Sequence, residues 1–538
     1  MNTTLDLLRL PTMITAFSSE SVLPLKQVNN QWSAGDVVVK TGLADRSLSI
    51  DVTAERSAIE RLHLRWLMPL PNGLHFLGDH WERGYGDLEW RGLVPERILP
   101  WYFLTYDGRV THGYGVKTQP AAFCFWMVDS QGVNLWCDVR NGGIGVELDG
   151  RVLNVAEVIT RLGEEGETPY AAAHAFCKLM CKSPRLPESP VYGSNNWYYA
   201  YGDSNHQAIL DDTRLLVSLA PPMENRPYMV IDGGWQPISG DTLTNGICGG
   251  PYSGNNIRFP NMPELAASIR AMGARPGIWI RPLAAHPADP ESILLPVERA
   301  VDASAKVKVY DPSLPEVLER IRTNFRTLHD WGYDLIKHDW ATCDIFGRWG
   351  FQMGAVLTNT GWHFADRTRT TAEITLDLYW AIRDGAGDSI LIGCNTVGHL
   401  GAGLFELQRI GDDTSGREWE RTRKMGVNSL AFRGFQHNAF FAADPDCVGH
   451  TLVMPWEKNR QFLELISRSG TVLFVSIDPK IIDSAKEREL KAAFAAASQP
   501  QPLCEPIDWL ENICPSHWIL NGEETHFDWY GEEGIKPF

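Results

Sequence analysis

Two short stretches carry side chains arranged for chemistry rather than packing. In Ile336-Lys337-His338-Asp339-Trp340 an apolar run ends in an ammonium, a carboxylate and an indole, and in Arg409-Ile410-Gly411-Asp412-Asp413 an arginine precedes two carboxylates. A residue such as Asp339 often does no more than cap a following helix. Two carboxylates facing one cleft can do more. One can attack an anomeric carbon while the other, kept protonated, gives its proton to the leaving oxygen and then serves as base for water. A glycosidic bond is thereby cleaved with retention. That reaction asks for carboxyl groups about 5–5.5 Å apart, and for positive charge beside the ionised one. Lys337 can supply it from two residues upstream on the same strand face. Acidic clefts also hold Mg²⁺ or Zn²⁺. Here Lys337 and Arg409 oppose a cation, and the strand ends offer only Asp444-Pro445-Asp446 as a spaced acidic pair, so no metal is expected. Gly398-x-x-Gly401-x-Gly403 departs from phosphate-loop spacing, and no cofactor is expected either.

Such side chains need a frame that gathers strand ends. After Pro190 strand-length apolar runs alternate with helical stretches, at 192–197, 228–232, 276–281, 334–339, 390–395, 407–411, 439–441 and 472–477. Eight strands alternating with helices predict a (β/α)8 TIM barrel, with a doubly wound open sheet as the competing arrangement. The fifth and sixth are so close that only one or two helical turns fit between them. A barrel places its active site at the carboxyl ends of its strands. Polar and aromatic residues gather at those ends. Trp197 and Tyr198 close the first, Asp232 and Trp235 the second, Trp279 and Arg281 the third, and Lys337, Asp339 and Trp340 the fourth. Cys394 and Asn395 close the fifth, Arg409, Asp412 and Asp413 the sixth, and Asp444 and Asp446 the seventh.

Residues 1–185 read differently. Short period-two runs at 37–39, 48–52, 63–67, 122–126, 133–136 and 145–148, separated by Gly, Asn and Asp turns, predict an antiparallel β-sandwich that packs against or shapes a pocket rim. A helix is expected over 168–182 and a proline-rich linker over 183–190. The expected organisation is therefore multidomain α/β, with a sandwich over 1–185, a barrel over 190–498 closed by a helix at 484–497, and a β-rich extension over 499–538. That extension is too short for a core of its own.

A net charge of −17 argues against nucleic acid and anionic membrane surfaces as partners. The first 22 residues lack the basic start and apolar core of a signal peptide, and no run is long enough to span a bilayer. The ten cysteines lack C-x-x-C pairing, and Cys177 and Cys181 share a helical face, which suits buried thiols in a reducing cytoplasm. The 20 tryptophans are many. Flat aromatic faces also suit sugar C–H surfaces.

As a set the motifs resemble those of retaining α-galactosidases of glycoside hydrolase family 36, with the clan relative family 27 similar. They are Asn195-Asn196-Trp197-Tyr198, Ile231-Asp232-Gly233-Gly234-Trp235, Gly277-Ile278-Trp279, Asp311-Pro312-x-x-Pro315, Ile336-Lys337-His338-Asp339, Cys394 followed by glycines, Arg409-Ile410-Gly411-Asp412-Asp413-Thr414 and Asp444-Pro445-Asp446-Cys447. The resemblance covers about residues 190 to 480 by motif and the preceding domain by architecture. It implies that Asp339 is the nucleophile and Lys337 a sugar ligand. It implies that Asp413, four residues after Arg409, is the acid/base, with Asp412 as rival. Asp232 would hold sugar hydroxyls, Trp197 and Trp235 would be aromatic walls, and Cys394 a subsite cysteine. The substrate implied is an oligosaccharide or glycoside. One departure matters: the family carries Asp-Asp where this chain has Asp232-Gly233. A lost hydroxyl acceptor costs about 1–3 kcal/mol, enough to change which sugar is preferred. An N-acetylgalactosamine, a glucose or a C6-modified sugar are therefore alternatives to galactose, and the raffinose-synthase branch makes transglycosylation an alternative to hydrolysis.

Overall fold

The computed structural model describes residues 4–44, 46–237, 252, 254–301 and 307–536. The N-terminal part folds as two antiparallel sheets. One has six strands in the order Val22–Pro24, Met13–Ser18, Ile59–Leu67, Gly132–Asp138, Phe123–Asp129 and Leu99–Pro100. The other has eight, in the order Lys26–Val28, Gln31–Ala34, Val37–Ala44, Ser47–Thr53, Leu153–Arg161, Thr111–Val116, Tyr102–Tyr106 and His75–Gly78. Alternation sets which side chains go inward. In Ser47–Thr53 the residues Leu48, Ile50 and Val52 are buried, while their neighbours stay half-buried. Phe103 of one sheet meets Trp126 of the other edge to face at 5.6 Å, so aromatic pairs join the layers.

The run at 145–148, read as a strand, is not one. Val146 makes a single bridge to Ile59, and the next amide, Glu147, donates instead to Arg367 O at 3.0 Å, so this segment ties the sandwich to the barrel. Several strands lacked a readable pattern. Thr111–Val116 is buried on both faces, its two glycines lying under Phe176 of the helix Pro169–Met180. That helix falls within the expected span 168–182, and the Thr168 side chain caps it by accepting from the Ala171 amide.

Parallel strands follow at Tyr192–Asn195, Tyr228–Ile231, Arg275–Ile280, Leu335–His338, Ile390–Gly393, Leu407–Arg409, Ala442–Asp444, Val448–His450 and Leu473–Ile477. The last two pair with each other, and Leu473–Ile477 pairs with the first strand. The seventh barrel strand is thus split. Ala442–Asp444 pairs with strand six, Val448–His450 pairs with strand eight, and the Val472 amide donates to Ala443 O at 3.1 Å across the seam. The fold is a (β/α)8 barrel with an interrupted seventh strand.

The predicted seventh strand at 439–441 lies three residues too early. Those residues are buried by packing, Phe440 against His399 at 5.8 Å, and Asn438 at φ 57° turns the chain just before them. Between strands five and six only the four-residue helix Gly398–Gly401 fits. Ser484–Ala497 forms the closing helix, and Glu505–Pro506, His517–Leu520 and Glu523–His526 form a small antiparallel sheet beyond it. Among the described residues no helix is long and apolar enough to cross a membrane.

Candidate active site

Strand period decides which side chains reach the barrel interior. Along Leu335–His338 and its continuation, Lys337 and Asp339 point inward while His338 points outward, its ring lodged among Phe325, Tyr379 and Phe405. Burial pushes His338 down to about 3, so it stays neutral packing. The inward pair opens onto a narrow cavity of about 90 Å³ at the carboxyl ends of the strands. Its walls include Trp197, Tyr198, Asp232, Trp279, Lys337, Asp339, Trp340 and Asp413, all expected there from the sequence. A larger cleft of about 590 Å³ opens at the opposite barrel end. Among its charges Arg185 pairs with Glu406 and Asp334 with Arg270, and it holds none of the strand-end residues. Size does not mark the site here.

Asp339 is held by neutral donors. Its Oδ1 accepts from the Trp340 amide at 2.7 Å and the Asn395 amide at 3.2 Å, and its Oδ2 accepts from the Trp279 indole at 3.3 Å. The Lys337 ammonium, expected beside it, turns to Asp232 Oδ2 at 2.7 Å. Asp232 also accepts from Asn195 Nδ2 at 2.8 Å and from the Gly233 amide at 2.8 Å. Burial works against the lysine charge, but the Asp232 carboxylate outweighs it and raises Lys337 well above the ordinary lysine value. The pair presents an acceptor and a donor side by side.

Asp413 sits among cations. Arg409 donates to its Oδ1 at 2.8 Å, and Arg83 lies 3.8 Å away. Burial opposes its charge, but Arg409 first, then Arg83, Lys337 and Arg421, hold the carboxyl below the usual carboxylate range. Its side chain is 42% exposed, so it reaches the cavity and water together.

Two wall residues carry backbone conformations that bulky side chains rarely adopt. Trp340 has φ 69° and Asp446 φ 80°, each costing about 1–3 kcal/mol unless the surroundings impose it. The Trp340 ring lies over the Arg281 guanidinium at 4.2 Å and against Trp349 at 4.8 Å. Asp446 Oδ2 accepts from the Tyr198 hydroxyl and from the Thr414 amide at 2.7 Å, and it forms an ion pair with Arg409 at 2.5 Å.

Five residues expected on the cavity wall stand behind it. Arg281 follows its strand's last residue, Ile280, and turns into a buried pair with Asp344 at 2.5 Å. Trp235 is fully buried, donating to Trp279 O at 2.9 Å, so it backs the wall that Trp279 forms. Cys394 lies buried with Arg409 Nη1 at 3.4 Å. Arg409 itself is buried and spends its guanidinium on Asp413, Asp446 and the Tyr198 hydroxyl. Asp412 pairs with Arg83 at 2.7 Å and Arg421 at 2.6 Å, which turns it aside while Asp413 faces inward.

Sequence reasoning missed Arg83, Trp349, Asn195 and Cys447 on the wall, and also assigned no binding role to Asp446. Arg83 comes from the sandwich. The segment Trp81-Glu82-Arg83-Gly84-Tyr85 reaches across strands five and six. The Gly84 amide donates to Ile410 O at 2.8 Å, the Asp412 amide returns to Gly84 O at 2.9 Å, and Glu82 accepts from Asn395 Nδ2. Arg83 lies over the Trp349 ring at 5.5 Å. The signal available in sequence was a Glu-Arg-Gly set among aromatics in a long stretch without strand alternation.

No family model matches the chain. Solved structures do. The α-galactosidase of Thermus thermophilus, in complex with p-nitrophenyl α-D-galactopyranoside, superposes with a TM-score of 0.59 at 17% identity, over 96% of this chain and 99% of that one. A GH36 α-galactosidase of Geobacillus stearothermophilus gives 0.61 at 14% identity, over 91% of this chain and 75% of that one. The galactosidase domain of an α-galactosidase–sucrose kinase gives 0.56 at 15% identity, over 87% and 67%. This chain therefore has, along nearly its whole length, the fold of GH36-type α-galactosidases.

Proposed function

We propose that this chain is a retaining exo-α-glycosidase of the α-galactosidase kind, acting on a terminal sugar of an oligosaccharide or glycoside. The observation that carries the reading is that Asp339 and Asp413 face one indole-walled cavity from strands four and six. Asp339 Oδ2, with a single long hydrogen bond, is the attacking oxygen. As it bonds to the anomeric carbon the glycosidic C–O bond breaks, and the Asp413 proton passes to the leaving oxygen. Asp413 then takes a proton from water, the hydroxide oxygen bonds to the anomeric carbon, and Asp339 leaves as carboxylate. Asp232 and Lys337 grip sugar hydroxyls as acceptor and donor, and Trp197, Trp279, Trp340 and Trp349 offer flat faces to the ring. Solved neighbours bind stachyose and raffinose, which fits an α-linked galactose end.

The test is a panel of nitrophenyl α-glycosides combined with trapping by a 2-deoxy-2-fluoro glycosyl fluoride. Best turnover on the α-galactoside, with the label on the peptide carrying Asp339, is the expected result. Label on another carboxylate removes the nucleophile assignment. Best turnover on an N-acetylgalactosaminide or glucoside moves the sugar, as Gly233 in place of an aspartate allows. Products formed at high sugar concentration distinguish water from a sugar hydroxyl as acceptor.

A further inference from the structure

The last strands carry a feature that the barrel chemistry does not use. The sequence His517-Trp518-Ile519-Leu520-Asn521-Gly522-Glu523-Glu524-Thr525-His526 contains Asn-Gly between two strand-length runs, the strongest short hairpin signal. Asn521 at φ 50° and Gly522 at φ 80° make the mirror-image turn that a two-residue loop requires. Such a turn permits only one register, and the pairs are Leu520 with Glu523, Ile519 with Glu524, Trp518 with Thr525 and His517 with His526. Trp518 and Leu520 are buried on the inner face, so His517, Glu524 and His526 share the outer one.

Phe527 donates to Ser516 O at 2.8 Å, which makes the adjacent His517–His526 pair a non-hydrogen-bonded one. In such pairs the Cα atoms stand about 4.5 Å apart and the side chains come closest. The two imidazoles stack at 3.9 Å, and Glu524 Oε2 lies 3.3 Å from His517 Nε2. One donor atom from each of the three residues falls within 4.8 Å of the other two. The backbone beneath is pinned, since Asp508 accepts from the Ser516 amide at 3.2 Å and the His517 amide at 3.1 Å.

We propose that this outer face is a binding site for a zinc-class divalent cation, held by His517, His526 and Glu524. Two imidazoles and one carboxylate suit late first-row metals and not Mg²⁺ or Ca²⁺, which take oxygen donors in larger number. Imidazole nitrogens sit about 2.0–2.1 Å from zinc, so the donors close on the ion by side-chain rotation while the hairpin stays fixed. Three protein ligands leave at least one position for water. The bound ion clips the ends of the two strands together, on residues that do not line the barrel cavity.

Calorimetric titration of the full chain with Zn²⁺ tests this, using wild type, His526→Ala, Glu524→Gln and Glu523→Gln, with thermal unfolding to verify that each is folded. Expected are one ion per chain, affinity at least about tenfold weaker in His526→Ala, and a smaller loss in Glu524→Gln. Glu523→Gln, one residue out of register, should bind as wild type, and excess Mg²⁺ should not displace the zinc. Absence of saturable binding up to millimolar Zn²⁺, or wild-type affinity in folded His526→Ala, overturns the proposal.

Discussion

Asp339 and Asp413 face the same cavity, yet their charges are supported in opposite ways. Around Asp339 the donors are two backbone amides and an indole, all neutral and all fixed by strand ends. Around Asp413 they are guanidinium groups, one from the barrel and one from the sandwich. Neutral dipoles keep a carboxylate oriented without binding it so tightly that it cannot attack, which suits a nucleophile. Nearby cations favour the ionised carboxylate, so they work against the protonated form that the first step of the proposed cycle requires. The contrast sets the two carboxylates apart, and Arg83 is the group through which it can be changed.

The largest break in that contrast is Asp339→Ala. Removing a nucleophile should lower kcat on the order of 10⁴-fold or more, measured as nitrophenol release, and a rate close to wild type would end the assignment. Asp413→Ala should cost about 10²–10⁴-fold on an oligosaccharide. On a nitrophenyl glycoside the leaving group needs little protonation, so the first step should suffer less. Equal losses on both substrates would count against Asp413 as proton donor.

Arg83→Ala sharpens the comparison through pH. Arg83 helps hold Asp413 below its ordinary range, and a donor must be protonated, so kcat/KM should fall with rising pH earlier than for an ordinary carboxyl group. Without Arg83 the alkaline limb should move to higher pH. The stability sign follows from the same shift. A carboxyl lowered on folding contributes stability above its unfolded value and loses it as pH falls through the folded one. Arg83→Ala should therefore lose that contribution at a less acidic pH in thermal unfolding. An unmoved limb would show that Arg83 does not act on Asp413. Trp349→Ala is the smallest change expected, a rise in KM of about tenfold or less with kcat nearly kept.

Much of this was legible in sequence where a strand supplied the frame. Lys337 and Asp339 could be placed on the cavity wall because alternation along a buried strand leaves little choice. One residue beyond a strand the frame can hold or fail: Asp339, whose amide still donates to Ile280 O at 3.0 Å, keeps the alternation past His338, and Arg281 does not. Arg281 would continue the inward face of Trp279, but past Ile280 the chain is free to turn, and the buried Asp344 carboxylate takes it. Asp412 and Asp413 differ by one position in a loop, and what turns Asp412 aside is Arg421 together with Arg83, the latter some 330 positions away in the chain. No local pattern holds such information. The split seventh strand was misplaced for a related reason: residues 439–441 are as apolar as a strand but are buried without joining the barrel sheet.

The reach of Glu82 and Arg83 into the barrel mouth has a thermodynamic consequence. A ligand seated between Asp413 and Arg83 is gripped by both parts of the chain, so its binding free energy also works against their separation. Saturating sugar should raise the melting temperature of sandwich and barrel together, in a single transition. A barrel expressed without its first 185 residues would be a mouth with one lip.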